Sequence, residues 1–190
     1  MRNISLVGQS TRYQMKKLLS VSTDTCIPRN DYSKWTSIHS NLDCSSLWKE
    51  SLIRIKDSPT DIKDPLDILI KSELMNKLRG YKLQDKHKTM DLSSVECISL
   101  SNCIELLLNT QFKCFYCLRE CCVIYQNRRD LTQWTLDRID NTMGHIYTNV
   151  VISCLGCNIQ RRNKPSHKFK DTKQLVLIKK EHADDLYGDI

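Results

Sequence analysis

Two C-x-x-C pairs, Cys114/Cys117 and Cys154/Cys157, constrain this chain more than any other feature. Between them lie residues 118–153, a gap of 36, so one ion held by all four thiolates would pin two distant segments together. Four cysteine sulfurs in paired spacing form the donor set of a structural, tetrahedral Zn²⁺ site, one per chain. The spacing alone leaves two other readings open: free thiols, or metal bound by a single pair. A thiol redox protein would need a thioredoxin-like βαβ context around a C-x-x-C, and none is legible. The remaining cysteines (Cys26, Cys44, Cys97, Cys103, Cys121 and Cys122) share no such spacing and read as small buried hydrophobes. The opening residues, Met1 to Leu6, have no apolar run behind them, so an intracellular, reducing compartment is expected, where clustered cysteines serve as metal ligands rather than disulfides. No stretch approaches the roughly 20 apolar residues of a membrane span, and no membrane is expected as a partner.

Charge points to the same part of the chain. The net charge is +7. Residues 1–110 carry 16 basic and 13 acidic side chains, a balance of +3, whereas residues 111–180 carry 13 and 5, a balance of +8. The last ten residues hold four acidic and no basic ones. The basic excess coincides with the cysteine pairs, and a polyanion such as nucleic acid is the natural partner.

Three regions are expected: a mostly helical part at 1–100 of unknown role, a compact part at 101–175, and a tail at 176–190. The clearest helix spans 64–80, with Asp64 as N-cap, Pro65 in the first position, a stripe of Leu66, Ile70, Leu74 and Leu78, and Gly80 as the stop. The lysine-rich segment Lys82 to Lys88 reads as a solvated loop. A second helix is expected from Ser94 to Asn109, with Ser101 as a possible cap. Strands are expected at Cys121 to Tyr125, at Gln133 to Ile139 with Trp134, Leu136 and Arg138 on one face, and at Asn149 to Ser153. A helix should start near Cys154. The fold class is thus α+β.

Between and after the cysteine pairs come, in order, Leu136-Asp137-Arg138-Ile139-Asp140-Asn141, Gly144-His145, Asn149-Val150-Val151 and Cys154-Leu155-Gly156-Cys157-Asn158. This series, over about residues 100–170, resembles the HNH endonuclease family in its subclass with a zinc-binding C-x-x-C on each side of the catalytic motif. By analogy it looks like the version found in phage and large DNA virus genomes. The resemblance implies a ββα-metal core and a DNA endonuclease or nickase that hydrolyses phosphodiester bonds with Mg²⁺ or Mn²⁺, double-stranded DNA being the expected substrate. It also implies that Asp137 and Asn158 hold the catalytic cation and that Asn149 fixes the loop carrying the base. A hard cation with one carboxylate and one amide oxygen keeps open positions for a phosphate.

One position departs from the family. The first histidine of the motif is replaced by Arg138, which cannot act as a base but can clamp a phosphate. His145 is then the expected base, with Asp140 as an alternative base or as the group orienting His145. The run Arg161, Arg162, Lys164, Lys168 and Lys170 has no acidic member and is expected, with Arg138, to contact the nucleic-acid backbone. A zinc-stabilised DNA-binding module with an inactive centre is the alternative function.

Overall fold

The computed structural model describes residues 27–37, 45–88 and 97–175. The N-terminal segment, Cys26, Cys44, the expected helix start at Ser94 and the acidic tail lie outside the described residues. The described chain mixes helix and strand, as α+β requires: α1 (Tyr32–Thr36), α2 (Ser45–Asp57), α3 (Pro65–His87), α4 (Leu100–Asn109), β1 (Trp134–Arg138), a 3₁₀ turn (Tyr147–Asn149), β2 (Val150–Cys154), α5 (Leu155–Arg161) and α6 (Ser166–Gln174). Among the described residues no helix is long and apolar enough to cross a membrane.

The start of α3 follows from local chemistry. The Asp64 side chain accepts a hydrogen bond from the Leu66 N–H at 2.8 Å, and Pro65, lacking an N–H, occupies a position where none is needed. Leu66, Ile70, Leu74 and Leu78 are buried. They join Trp48, Leu52 and Ile55 of α2 and Cys103, Ile104 and Leu107 of α4 in one core.

Gly80 does not stop this helix. It continues to His87, so most of the segment expected as a solvated loop forms its last turns. A glycine inside a helix costs about 1 kcal/mol relative to alanine. Contacts made on both sides of it outweigh that cost. Lys77 donates to the Trp134 carbonyl and, at 3.1 Å, to Gln133 Oε1. The Tyr81 hydroxyl accepts from the Leu136 N–H at 3.0 Å, and Asp85 accepts from His145. Residues 77, 81 and 85 recur every four positions and so share one stripe of the helix. The first two of them satisfy backbone groups along the outer edge of β1, where a third strand would otherwise pair.

The second helix also starts elsewhere than expected. Residues 97–99 are not helical, and the Ser99 side chain, not Ser101, accepts from the Asn102 N–H at 3.2 Å.

Strands β1 and β2 pair antiparallel, with Trp134 opposite Cys154 and Asp137 opposite Val151. All five residues of β1 are buried, so its two faces do not alternate between core and solvent. Its edge lies against α3, while α5 reaches it through Asn158, whose amide donates to Thr135 Oγ1 at 3.1 Å. The expected strand Cys121 to Tyr125 does not form, although Val123, Ile124 and Tyr125 are buried. Its backbone is divided between two neighbours. Cys121 N–H donates to Phe112 at 2.7 Å, and only Cys122 bridges to Gln133, so no ladder can extend.

A Cβ on Gly80 would meet no atom within 4 Å. Gly80→Ala should therefore stabilise the protein by roughly 0.5–1 kcal/mol in urea unfolding, since the native helical backbone suits alanine. A loss of stability would mean that the helix does not run through this position.

Candidate functional site

The four cysteines come together. Cys114 and Cys117 sit on a knuckle after α4, closed by Cys114 N–H donating to the Arg119 carbonyl at 2.8 Å and Leu118 N–H to the Cys114 carbonyl at 3.0 Å. Leu118 turns the chain at φ 60°. Cys154 ends β2 and caps α5, its Sγ accepting from the Cys157 N–H at 3.4 Å. All four Sγ atoms lie within 4.8 Å of one another and can hold a metal ion. Cys117 and Cys154 Sγ are 3.9 Å apart, far beyond a disulfide bond of roughly 2.05 Å.

The thiols of the cluster perturb one another. Hydrogen bonds from Cys121 and Cys154 lower the pKa of Cys114. The bond to Cys114 raises that of Cys154, and burial pushes Cys157 up to about 12. Of the other described cysteines, Cys103 and Cys121 are buried, as expected, while Cys97 and Cys122 are half-buried.

A second centre lies at the far end of β1. Asp137, Arg138, His145 and Asn158 line one cavity of about 530 Å³, together with Tyr81 and Lys88 at the end of α3. His145 is 3% exposed. Its ring Nδ1 lies 2.7 Å from Asp85 Oδ1, and its backbone N–H donates to Asp85 Oδ2 at 2.7 Å. A carboxylate only accepts, so opposite an ionised Asp85 the proton would sit on Nδ1 and leave Nε2 as the acceptor. The Tyr81 ring lies 4.6 Å from the imidazole, centroid to centroid. Burial lowers the His145 pKa below its ordinary 6.5, helped by Arg138 and Lys88 and opposed by Asp85.

Asp140 does not orient His145. It is exposed, and its Oδ1 accepts from the Thr142 N–H at 2.8 Å and the Thr142 hydroxyl at 2.7 Å, which lowers its pKa. Asn149, buried at 4%, clasps the loop between them. Its amide donates to the carbonyls of Asp140 at 2.9 Å and Gly144 at 3.1 Å, and its Oδ1 accepts from the Asp140 N–H at 2.9 Å.

Arg161 is not on the surface where the basic run was expected to meet phosphate. It is 2% exposed, with Nε and Nη2 donating to the two oxygens of Asp137 at 2.6 and 2.8 Å. It also donates to the carbonyls of Arg138 at 2.6 Å and Lys164 at 2.8 Å and to Asn141 Oδ1 at 2.9 Å. The Tyr116 hydroxyl adds a bond to Asp137 Oδ2 at 2.7 Å. The signal was present: Arg161 follows the buried Cys157 by four residues, so both face inward on α5. Asp85 carried a similar signal, eight residues beyond Lys77 on the same helical stripe. Arg138 is also buried; it donates to the Met143 carbonyl at 3.2 Å and lies 3.8 Å from Asp85.

The rest of the basic run surrounds the site. Arg162 is exposed and lines the same cavity. Lys164 and Lys170 line an adjoining cavity of about 1000 Å³, and Lys168 is exposed on α6. Arg161 and Asn141 border both cavities.

Asp137 offers a divalent cation limited room. Oδ2 accepts two hydrogen bonds and Oδ1 one, so one lone pair on Oδ1 stays open. Mg²⁺ commonly takes only one or two protein ligands and keeps its waters, so that single position together with Asn158 is a compatible donor set. Comparison of the chain with protein-family models, curated proteins and solved structures returns no match.

The Asp137–Arg161 pair is buried on both sides, at 6% and 2% side-chain exposure. Arg161→Gln would leave an uncompensated carboxylate and should cost roughly 3–5 kcal/mol in urea unfolding. Arg162→Gln, at an exposed neighbour, should stay within about 0.5 kcal/mol. Equal effects would refute a buried role for Arg161.

Proposed function

We propose that the chain is a DNA endonuclease or nickase of the HNH type, hydrolysing phosphodiester bonds at the cavity between α3, β1 and α5. The observation that carries this reading is His145, held by a buried carboxylate with Nε2 left as an acceptor, beside Asp137 and Asn158 in one cavity. A neutral histidine whose other nitrogen is hydrogen-bonded is the form a general base requires. In this reading water attacks the scissile phosphorus in line and passes its proton to His145 Nε2. The bond from phosphorus to the 3′ oxygen breaks and that oxygen takes a proton from solvent water, leaving a 5′-phosphate and a 3′-hydroxyl. Asp137 and Asn158 would hold a Mg²⁺ or Mn²⁺ ion, which when bound neutralises charge on the phosphate and on the leaving oxygen. Arg162, Lys164, Lys168 and Lys170 hold the backbone of double-stranded DNA, without reading its sequence.

Zinc is the ion proposed for the four cysteines. Tetrahedral coordination at a Zn–S distance of roughly 2.3 Å separates the sulfurs by roughly 3.8 Å, and Cys117 and Cys154 stand at 3.9 Å. The ion's role is to join the knuckle to β2 and α5, away from the chemistry. Elemental analysis should find about one zinc per chain, and Cys157→Ser should lose it together with cooperative unfolding, because small metallodomains draw roughly 10–16 kcal/mol of folding free energy from the metal. Metal-free protein with an unchanged melting curve would remove the zinc from the reading.

The bidentate hold of Arg161 on Asp137, and Arg138 in place of a histidine, favour a second reading: a zinc-stabilised DNA-binding module with an inactive centre. Supercoiled plasmid with Mg²⁺ or Mn²⁺ separates the two. Relaxed or linear product supports the nuclease; binding without cleavage supports the module. In the nuclease, His145→Ala should slow cleavage by roughly 10²–10⁴-fold. The groups facing His145 are Asp85 and the Tyr81 ring from α3, Lys88 beyond it, and Arg138 from β1. Their net effect with burial is to lower its pKa, so the rate should rise with pH through a midpoint below 6.5 and be flat above it. A midpoint well above 6.5 would exclude His145 as the base.

A further inference from the structure

We infer that Asp85, on the helix that precedes the cysteine-bearing half of the chain, sets the tautomer of His145, with Arg138 as the charge partner that lets a carboxylate sit there. The inference rests on the nuclease reading only for its effect on rate; the tautomer itself does not depend on it. Asp85 is fully buried. One oxygen accepts from the His145 backbone N–H and the other lies against the ring Nδ1, both at 2.7 Å. Two such bonds fix the position of the residue and the rotation of its ring. Sixty positions separate the partners in sequence, so no local turn could supply the same restraint.

A buried carboxylate facing a neutral imidazole needs a positive neighbour. Arg138 Nη1, 3.8 Å from Asp85 Oδ1, is that neighbour. The arginine that replaces the motif's histidine thus serves the base from behind instead of gripping phosphate. Lys88 and Tyr81 complete the surroundings of the ring. Asp85 is a positioning residue, since it acts through His145 and lines neither cavity.

Asp85→Asn is the decisive variant because it keeps shape and volume. The backbone N–H of His145 can only donate, so it claims the amide oxygen of the asparagine. The amide NH₂ then faces Nδ1, which must give up its proton and become the acceptor, moving the proton to Nε2. Ring ¹⁵N shifts in histidine-labelled protein at pH 8 should show Nδ1–H in the parent and Nε2–H in the variant. Cleavage of plasmid should fall in kcat by roughly 10²–10⁴-fold with KM little changed, the size expected when a base is held in the wrong tautomer. Asp85→Glu, which retains an acceptor-only group, should restore Nδ1–H and part of the rate. An Nε2–H parent, or a variant that keeps Nδ1–H and the parental pH profile, would overturn the inference. If the parent does not cleave DNA at all, the nuclease reading fails while the ring shifts still decide the role of Asp85.

Discussion

A two-stranded sheet is marginal by itself, and here it has an outer edge with backbone groups that must be satisfied. Helix α3 supplies side chains where a third strand would supply backbone. Lys77 donates to the carbonyl of Trp134, and Tyr81 accepts from the N–H of Leu136 two residues on. The roughly 6 Å between helix residues four apart and the roughly 7 Å between alternate strand residues are close enough for consecutive pairs to align. One turn further, the same stripe delivers Asp85 to His145. The restraint that completes the sheet therefore also aims the proposed base, and the helical part of the chain cannot be moved without disturbing the site.

The opposite end of the sheet is held by different chemistry. The four cysteines bring the knuckle after α4 against the junction of β2 and α5, where a metal ion could fasten them. From that junction α5 carries two inward functions, one turn apart. Cys157 joins the cluster, and Arg161 reaches Asp137 at the end of β1. Tyr116, one residue before Cys117, meets the same carboxylate. Loss of the metal proposed for the cluster would thus loosen both groups that hold Asp137, although neither touches the ion.

What was legible in the sequence was local. The paired cysteines, the Asp64–Pro65 helix start, the order of strand, loop, strand and helix, and the leucine stripe all depend on neighbours within a turn or two. What was hidden depends on partners far away. Gly80 reads as a stop until Tyr81 and Asp85 are seen to bind residues 55 and 60 positions later. Cys121 to Tyr125 reads as a strand because it is apolar, but its backbone is shared between Phe112 and Gln133. Arg161 reads as one member of a basic run, although its phase on α5 turns it away from Arg162 and towards the core. The helical phase that revealed the leucines of α3 also contained its polar stripe; apolar residues announce burial, whereas a buried polar residue is recognisable only with its partner in view.

Pairing of charge gives the site its character. Asp137 is matched by Arg161 and Asp85 by Arg138, with His145 between them held towards its neutral form. These groups sum to no net charge, and Arg161 spends Nε, Nη1 and Nη2 on protein atoms. A phosphate would therefore find little attraction at the floor of the cavity. Attraction has to come from the rim, where Arg162, Lys164, Lys168 and Lys170 remain. If the nuclease reading holds, affinity and its salt dependence belong to the rim, because exposed cations release counterions when they meet a backbone. The rate belongs to the floor, where burial shields the paired charges from salt. Such a division would let a nuclease hold many sequences loosely while its chemistry stays fixed by a few buried bonds.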